Sequence, residues 1–394
     1  MQKKKVLICG AGVAGLATAW WLNRQNLDVE VVEKYPDFKQ NGYMIGLSGP
    51  GLNIAEKMGL KNDLLQQNIS IGENLYISKT GKHLHRLNYS KILEELEFLS
   101  FPRTNLVRTI YNHTKDDLPI TFGEKAISFS DHAHGQTEVI FQSGSRKSYD
   151  LIIGADGIHS DLRSKFFGNE SQFIHHMGYS VAAFTVDIPN TLQTEFVSYV
   201  EPSRQSQYYA LNEKQLVAIL CWQNNNISSI PQNSRAEYLK NIFSGANPIC
   251  LERIELAKSQ QAHIYLDNMA MIEMPQWSQG NKVVIGDAAY CMSLLSGQGA
   301  GMALTGAYLL SEGIKRHGLP NGMVYYENQL RKSILRLQKR SRKIASIFIP
   351  KTHYGFWLRN LSMKLIPENL LGRYFLKNIQ SEIMDSENGI QEKN

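Results

Sequence analysis

Residues 5–34 read KVLICGAGVAGLATAWWLNRQNLDVEVVEK, and this stretch decides the fold. Val6-Leu7-Ile8-Cys9 is a short, continuous apolar run, the pattern of a strand covered on both faces. Gly10, Gly12 and Gly15 follow as GxGxxG, then helix formers with apolar residues at Leu16, Ala19, Trp20 and Leu22. That spacing suits a helix packed on a sheet. Val29-Glu30-Val31-Val32 reads as a second strand, closed by Glu33 18 residues past the last glycine. In this strand–turn–helix–strand setting each glycine has a task. Gly10 makes the tight turn, Gly12 lets a pyrophosphate approach the backbone, and Gly15 allows close helix–strand packing. Ala14 and its neighbours open the helix, whose N-terminus offers N–H groups and a positive dipole end to phosphates. Glu33, with Lys34 beside it, is placed to accept a hydrogen bond from a ribose hydroxyl.

The rest of the chain has room for more than this unit. Its 394 residues are long enough for two domains and a large core. Hydrophobic residues make up 43% and charged residues 20%, the composition of a water-soluble globular protein. No apolar run is long enough for a membrane span. The first strand begins at Lys5, which leaves no room for a signal peptide and predicts a cytoplasmic protein. Cys9, Cys221, Cys250 and Cys291 show no CxxC spacing, so neither a zinc site nor a disulfide framework is expected. A net charge of +6 suits an anionic cofactor or a membrane surface and does not call for nucleic acid.

Residues 74–87 read as a hairpin turning at Lys79-Thr80-Gly81-Lys82, and residues 101–112 as a lead into a helix capped by Thr104 or Asn105. Asp150-Leu151-Ile152-Ile153-Gly154 is another buried-strand run. Between about 175 and 277 alternating strands dominate, interrupted by one helix near Arg235–Phe243, which predicts an antiparallel sheet with one face not given to core. Lys282-Val283-Val284-Ile285-Gly286-Asp287 returns to the buried-strand pattern before a glycine-rich turn and a long helix. Helices continue to the end. The basic run from Arg331 to Lys343 reads first as a solvated helix face, with contact to a membrane surface or nucleic acid as the alternative. Leu358, Leu361 and Leu365, behind Tyr354, Phe356 and Trp357, read as a face docked on the rest of the protein.

Three segments then stand in order: GAGVAG at 10–15, GADGIHSDLR at 154–163 and GDAAYCMSLLSGQGAGMAL at 286–304. Each follows an apolar strand and opens a turn or helix. Together they resemble the class A flavoprotein monooxygenases, the family of para-hydroxybenzoate hydroxylase. Within it the chain looks most like the tetracycline destructases, by its length, the text of the third segment and the helical tail. The resemblance implies an α/β fold with a Rossmann-like FAD-binding domain of the GR2 type. Its first part would be residues 1–174, with an inserted hairpin, and it would return at 278–320. An antiparallel substrate-binding sheet at 175–277 and C-terminal helices at 321–394 would complete the chain.

The resemblance further implies FAD as cofactor and NADPH or NADH as a transient electron donor. An oxygen atom from molecular oxygen would pass, through a flavin C4a-hydroperoxide, to an aromatic or enolic polycycle such as a tetracycline, giving antibiotic resistance. By the same resemblance Asp287 bonds the ribityl chain, Arg103 contacts the cofactor and Asp156 belongs to the family's DG motif. Gly299 and Ala300 present backbone N–H groups to the flavin. Neither a catalytic side chain nor a metal site is expected. Ile45, Phe184, Tyr208 and Trp222 are candidate substrate contacts, a flat aromatic wall for a flat ligand. The chain departs from the family at Tyr290, where a histidine is usual, and at Ser293-Leu294, where prolines are usual, which predicts a softer loop beside the flavin. A monomer with no integral membrane segment and no nucleic-acid partner is expected. The alternatives are a hydroxylase of another aromatic metabolite and a non-catalytic binding protein on the same fold.

Overall fold

The computed structural model describes residues 3–38, 43–70, 72–90, 97–132, 135–224, 227, 229–350 and 352–365. The C-terminal helices expected beyond Leu365 lie outside the described residues. The strands run β1 (Lys5–Cys9), β2 (Asp28–Glu33), β3 (Met44–Ser48), β4 (Glu73–Ser78), β5 (His83–Asn88), β6 (Phe98–Pro102), β7 (Ile120–Phe122), β8 (Ala126–Asp131) and β9 (Thr137–Phe141). They continue with β10 (Arg146–Tyr149), β11 (Leu151–Gly154), β12 (Ile174–Asp187), β13 (Phe196–Glu201), β14 (Arg204–Asn212), β15 (Gln215–Gln223), β16 (Tyr265–Ile272), β17 (Ser278–Gln279) and β18 (Lys282–Val284). The helices are α1 (Val13–Asn23), α2 (Gly49–Lys57), α3 (Lys61–Gln66), α4 (Arg103–Asn112), α5 (Asp161–Phe166), α6 (Arg235–Ile242), α7 (Pro248–Ser259), α8 (Asp287–Tyr290), α9 (Gly299–His317), α10 (Asn321–Phe348) and α11 (His353–Leu365).

A six-stranded sheet, ordered β17-β18-β11-β1-β2-β7, forms the first layer, with every pair parallel except β17–β18. Its apolar strands are buried on both faces, and α1, α9 and α10 build the main core on one side. The chain leaves this sheet after β11 and re-enters it at β17 and β18, so residues far apart in sequence meet at the carboxyl ends of β1, β11 and β18. Ligands bind at such strand ends in open α/β sheets.

The second layer is a seven-stranded sheet, β16-β12-β15-β14-β13-β4-β5, antiparallel except where β4 runs parallel to β13. The hairpin of residues 73–88 therefore extends this larger sheet and is not an isolated insert in the first domain. A second departure concerns cover. Besides α6, the helix α7 packs on this sheet, and together they enclose Ala182, Phe184, Tyr208, Leu220 and Trp222 in a closed core. One face of the sheet is thus sealed, and the opposite face, which carries Ala183, Thr185 and Val217, is the one not given to core. A third concerns α4, which starts directly from β6 at Arg103 behind Pro102 and has no side-chain cap from Thr104 or Asn105.

Candidate active site

A cavity of about 500 Å³ lies between the two sheets, within the size range of ligand pockets. All three glycine-bearing segments reach it. In the first, Gly10 takes φ +113°, and a β-carbon there would sit 2.5 Å from the Ala155 carbonyl oxygen. A β-carbon on Gly15 would meet the Gly10 carbonyl oxygen at 1.9 Å, so helix and turn touch only because both residues lack side chains. Gly15 is packed behind the turn and does not line the cavity. Gly12 is different: a β-carbon there would meet nothing within 4 Å, because the position opens on the cavity. Gly12 caps α1 without any side-chain hydrogen bond, which leaves the first N–H groups turned to that space.

The second such helix start belongs to α9, where Gln298 also caps without its side chain and Gly299 is equally open. Gly299 and Ala300 line the cavity, as does Asp287 at the start of α8. The preceding Gly286 has φ +64°, and a β-carbon on it would meet Ala14 at 2.7 Å, so the turn that presents Asp287 requires glycine. Two uncapped helix N-termini, an open glycine cradle and a carboxylate on a strand-end turn make a donor set that fits FAD. The N–H groups suit its pyrophosphate and flavin carbonyl, and Asp287 suits hydroxyls of its ribityl chain.

Gly10, Gly12, Ala14, Glu33, Lys34, Arg103 and Asp156 also line the cavity, and so does Ile45 of β3. Glu33 has a structural task as well: its carboxylate accepts the Ala11 N–H at 2.9 Å and the Tyr35 N–H at 3.1 Å, holding the glycine turn against β2. Each oxygen retains a lone pair for a ribose hydroxyl. Arg103 donates its backbone N–H to the Tyr43 carbonyl oxygen. Burial disfavours its charge, but Tyr43, Asp287 and Tyr265 together push its pKa up. Asp156 accepts from Ser160 Oγ and the Leu162 N–H, so it anchors the start of α5. Burial nevertheless raises its pKa.

The substrate wall requires correction. Ala182, Phe184, Tyr208 and Trp222 lie on one face of the sheet, as the pairs Phe184↔Ala218, Tyr208↔Ala218 and Ala182↔Leu220 show. That face is the one covered by α6 and α7. Tyr208 and Trp222 do not reach the cavity, and Phe184 borders it while its side chain packs into the covered core. The cavity is lined instead by the alternate residues Val181, Ala183, Thr185 and Val217. Nor does any described residue of α11 line it. Tyr290, read as part of a softened loop, is a core residue packed on Trp277 and Tyr326. Beside it Ser293 takes φ +70° and Leu294 lines the cavity.

Several lining residues escaped the sequence reading. On β16, Tyr265 donates its hydroxyl to Asp267 at 3.0 Å, and Asp267 faces His159 Nε2 at 3.5 Å. Burial pushes the Asp267 carboxyl up, but His159 and Tyr265 outweigh it and hold it below its ordinary value. Asp267 in turn raises the His159 pKa against the opposing effect of burial. Tyr43 stands opposite, its ring centroid 6.3 Å from that of Tyr265. The signal available was an Asp267-Asn268 pair inside an otherwise apolar strand. Fully buried Arg163 links the second and third segments by donating to the carbonyl oxygens of Ile158 and Ala288 and to Glu170.

The fold and this cavity define a flavin-binding protein of the Rossmann-like class. The family described as FAD binding domain matches residues 3–317, and the chain belongs to it, among the class A flavin-dependent monooxygenases. A flavin-dependent monooxygenase of Legionella longbeachae is 29% identical over 339 residues, covering 79% of this chain and 80% of the relative. The same fold occurs in tetracycline destructase Tet(51), with TM-score 0.79 and 24% identity over 92% of this chain and 96% of that one. It occurs also in Klebsiella pneumoniae HpxO complexed with FAD and uric acid, with TM-score 0.79 and 19% identity over 97% of each chain.

Proposed function

We propose that this monooxygenase acts on an aromatic or enolic polycycle of the tetracycline kind, with NADPH or NADH as electron donor and molecular oxygen as co-substrate. The observation that carries the reading is the continuity of one cavity from the glycine cradle to the inner face of β12, β15 and β16. A cofactor held at the three segments would meet a ligand lying on Ala183, Thr185 and Val217. When bound, FAD supplies the redox chemistry of nicotinamide oxidation and oxygen activation. The chain's own groups do the rest. The apolar floor of β12 and β15 buries a flat ligand and keeps water away. Tyr265 and Asp267 present a hydroxyl and a carboxylate edge to hydrogen-bond its polar groups. The chain from Tyr265 through Asp267 to half-exposed His159 offers a route for a proton released by an enol or phenol. Ile45 closes the opposite side.

The test is oxygen-dependent loss of the tetracycline chromophore with NADPH, paired with a mass gain of one oxygen atom. If a panel of tetracyclines stays intact while a smaller aromatic is hydroxylated, the substrate assignment fails. The alternative, a hydroxylase of another aromatic metabolite, would then hold, and the likeness to the uric acid complex of HpxO favours it. A chain that binds FAD but oxidises no nicotinamide with any substrate would be the non-catalytic binding protein.

A further inference from the structure

The last described helix is built inside out. In α11 the residues turned to solvent are Tyr354 (71% exposed), Trp357 (58%), Leu358 (48%), Leu361 (37%) and Leu365 (69%). They recur at spacings of three and four, so they form one continuous stripe. The residues turned inward include Phe356 but also Arg359, Asn360 and Ser362, which are partly buried. Arg359 lies over the Phe356 ring and bonds Asn360 Oδ1. A helix docked on its own domain shows the opposite arrangement, and scattered single apolar residues do not form a stripe.

The charge around this stripe has one sign. Residues 328–367 contain ten lysines and arginines and no aspartate or glutamate, although the whole chain carries only +6, so the remainder is net negative. Part of this charge is engaged within the fold: Arg331 pairs with Glu327 and Arg342 with Glu273. Lys332 and Lys339 are exposed on α10, and Lys364 lies within the stripe itself. Tyr354 and Trp357 stack with ring centroids 6.2 Å apart. Aromatic rings of this amphipathic kind favour the headgroup level of a bilayer, and leucines flanked by lysine and arginine suit its anionic surface. No described helix is long and apolar enough to cross a membrane, so the arrangement fits a helix lying in the interface plane.

We propose that α11 docks on the surface of an anionic phospholipid membrane, with Tyr354, Trp357, Leu358, Leu361 and Leu365 entering the headgroup boundary and the basic segment 328–367 supplying attraction to the lipid charge. Two weak terms add here. The apolar stripe alone offers modest area, and the electrostatic part acts only within about one Debye length, so binding requires both and weakens with salt.

The test uses the full-length, FAD-loaded protein and two vesicle preparations, phosphatidylcholine alone and phosphatidylcholine mixed with phosphatidylglycerol. The protein should sediment with the mixed vesicles and not with the neutral ones, with a blue shift in tryptophan emission, and salt should release it. Trp357→Ser combined with Leu361→Ser should weaken partitioning at least about tenfold and leave FAD content and nicotinamide oxidation unchanged, since both side chains are exposed. Failure of the full chain to bind the mixed vesicles overturns the proposal. So does binding that the double variant retains. A dimer that the double variant converts to monomer would assign the stripe to a second copy and overturn it. Binding that appears only after residues 368–394 are removed would show that this tail covers the stripe, and would overturn it too.

Discussion

The buried guanidinium of Arg163 donates to the carbonyl oxygen of Ala288, 2.9 Å away, and so fastens the segment after β11 to the turn that carries Asp287. The same group donates to Ile158 and Glu170. One side chain thereby holds two of the three cofactor segments in register. Arg163→Ala would leave two buried carbonyl oxygens without their donor, and its expected destabilisation is about 3 kcal/mol. Arg163→Lys should recover only part of this, because one ammonium cannot span the three acceptors. Thermal unfolding of both variants, with and without FAD, checks the order wild type, Lys, Ala.

Gly12 and Gly15 should separate binding from folding. Gly15→Ala forces a β-carbon onto the Gly10 carbonyl oxygen and should lower the melting temperature whether or not FAD is added. Gly12→Ala meets no protein atom, and Gly12 has φ −81°, open to any residue. That variant should fold normally and lose FAD affinity, as should Asp287→Ala. Each should lose at least about tenfold, the size of one charge-assisted or closely packed contact. Flavin titration alongside melting curves distinguishes the two classes. Normal FAD affinity in Gly12→Ala would place the pyrophosphate elsewhere.

The pair His159–Asp267 gives a pH signature. The folded-state pKa of His159 is raised above 6.5, so its stabilising contribution is complete below that value and disappears as pH rises through the folded pKa. Asp267 is depressed below 3.8, so its contribution is present above that value and is lost as pH falls through the folded pKa. The pair therefore stabilises most in the mildly acidic window between them. The melting-temperature difference between wild type and His159→Gln should be widest there and close toward alkaline pH. A difference independent of pH would contradict the pairing.

The two faces of the large sheet should respond differently to substitution. Trp222→Ala opens a cavity in the core beneath α6 and α7 and should cost about 3–5 kcal/mol, while the folded fraction keeps its substrate KM. Thr185→Phe projects into the active-site cavity. It should raise KM several-fold with little change in melting temperature. Steady-state kinetics on both variants read the contrast directly.

The sequence by itself determined the Rossmann-like unit, because its signal is local: an apolar strand, glycines at fixed spacing and a helix dictate one another over thirty residues. For the same reason Asp156 and Asp287 could be placed at strand ends, and Gly299 and Ala300 at a helix start, from the chain alone, and the structure brings all four to one cavity. What the tertiary structure decided was facing. Period-two alternation along β12, β14 and β15 separates Ala183 and Thr185 from Phe184, and Tyr208 from Tyr209, but the alternation is symmetric. Only the packing of α6 and of α7, whose sequence carries weak periodicity, shows which set is sealed and which lines the cavity. The same holds for α11, where spacing marked one apolar stripe and only its neighbours could show that it points outward. Partnerships between distant segments, such as Arg163 with Ala288 and His159 with Asp267, leave no local pattern, because side chains that meet across the fold share no spacing in the chain.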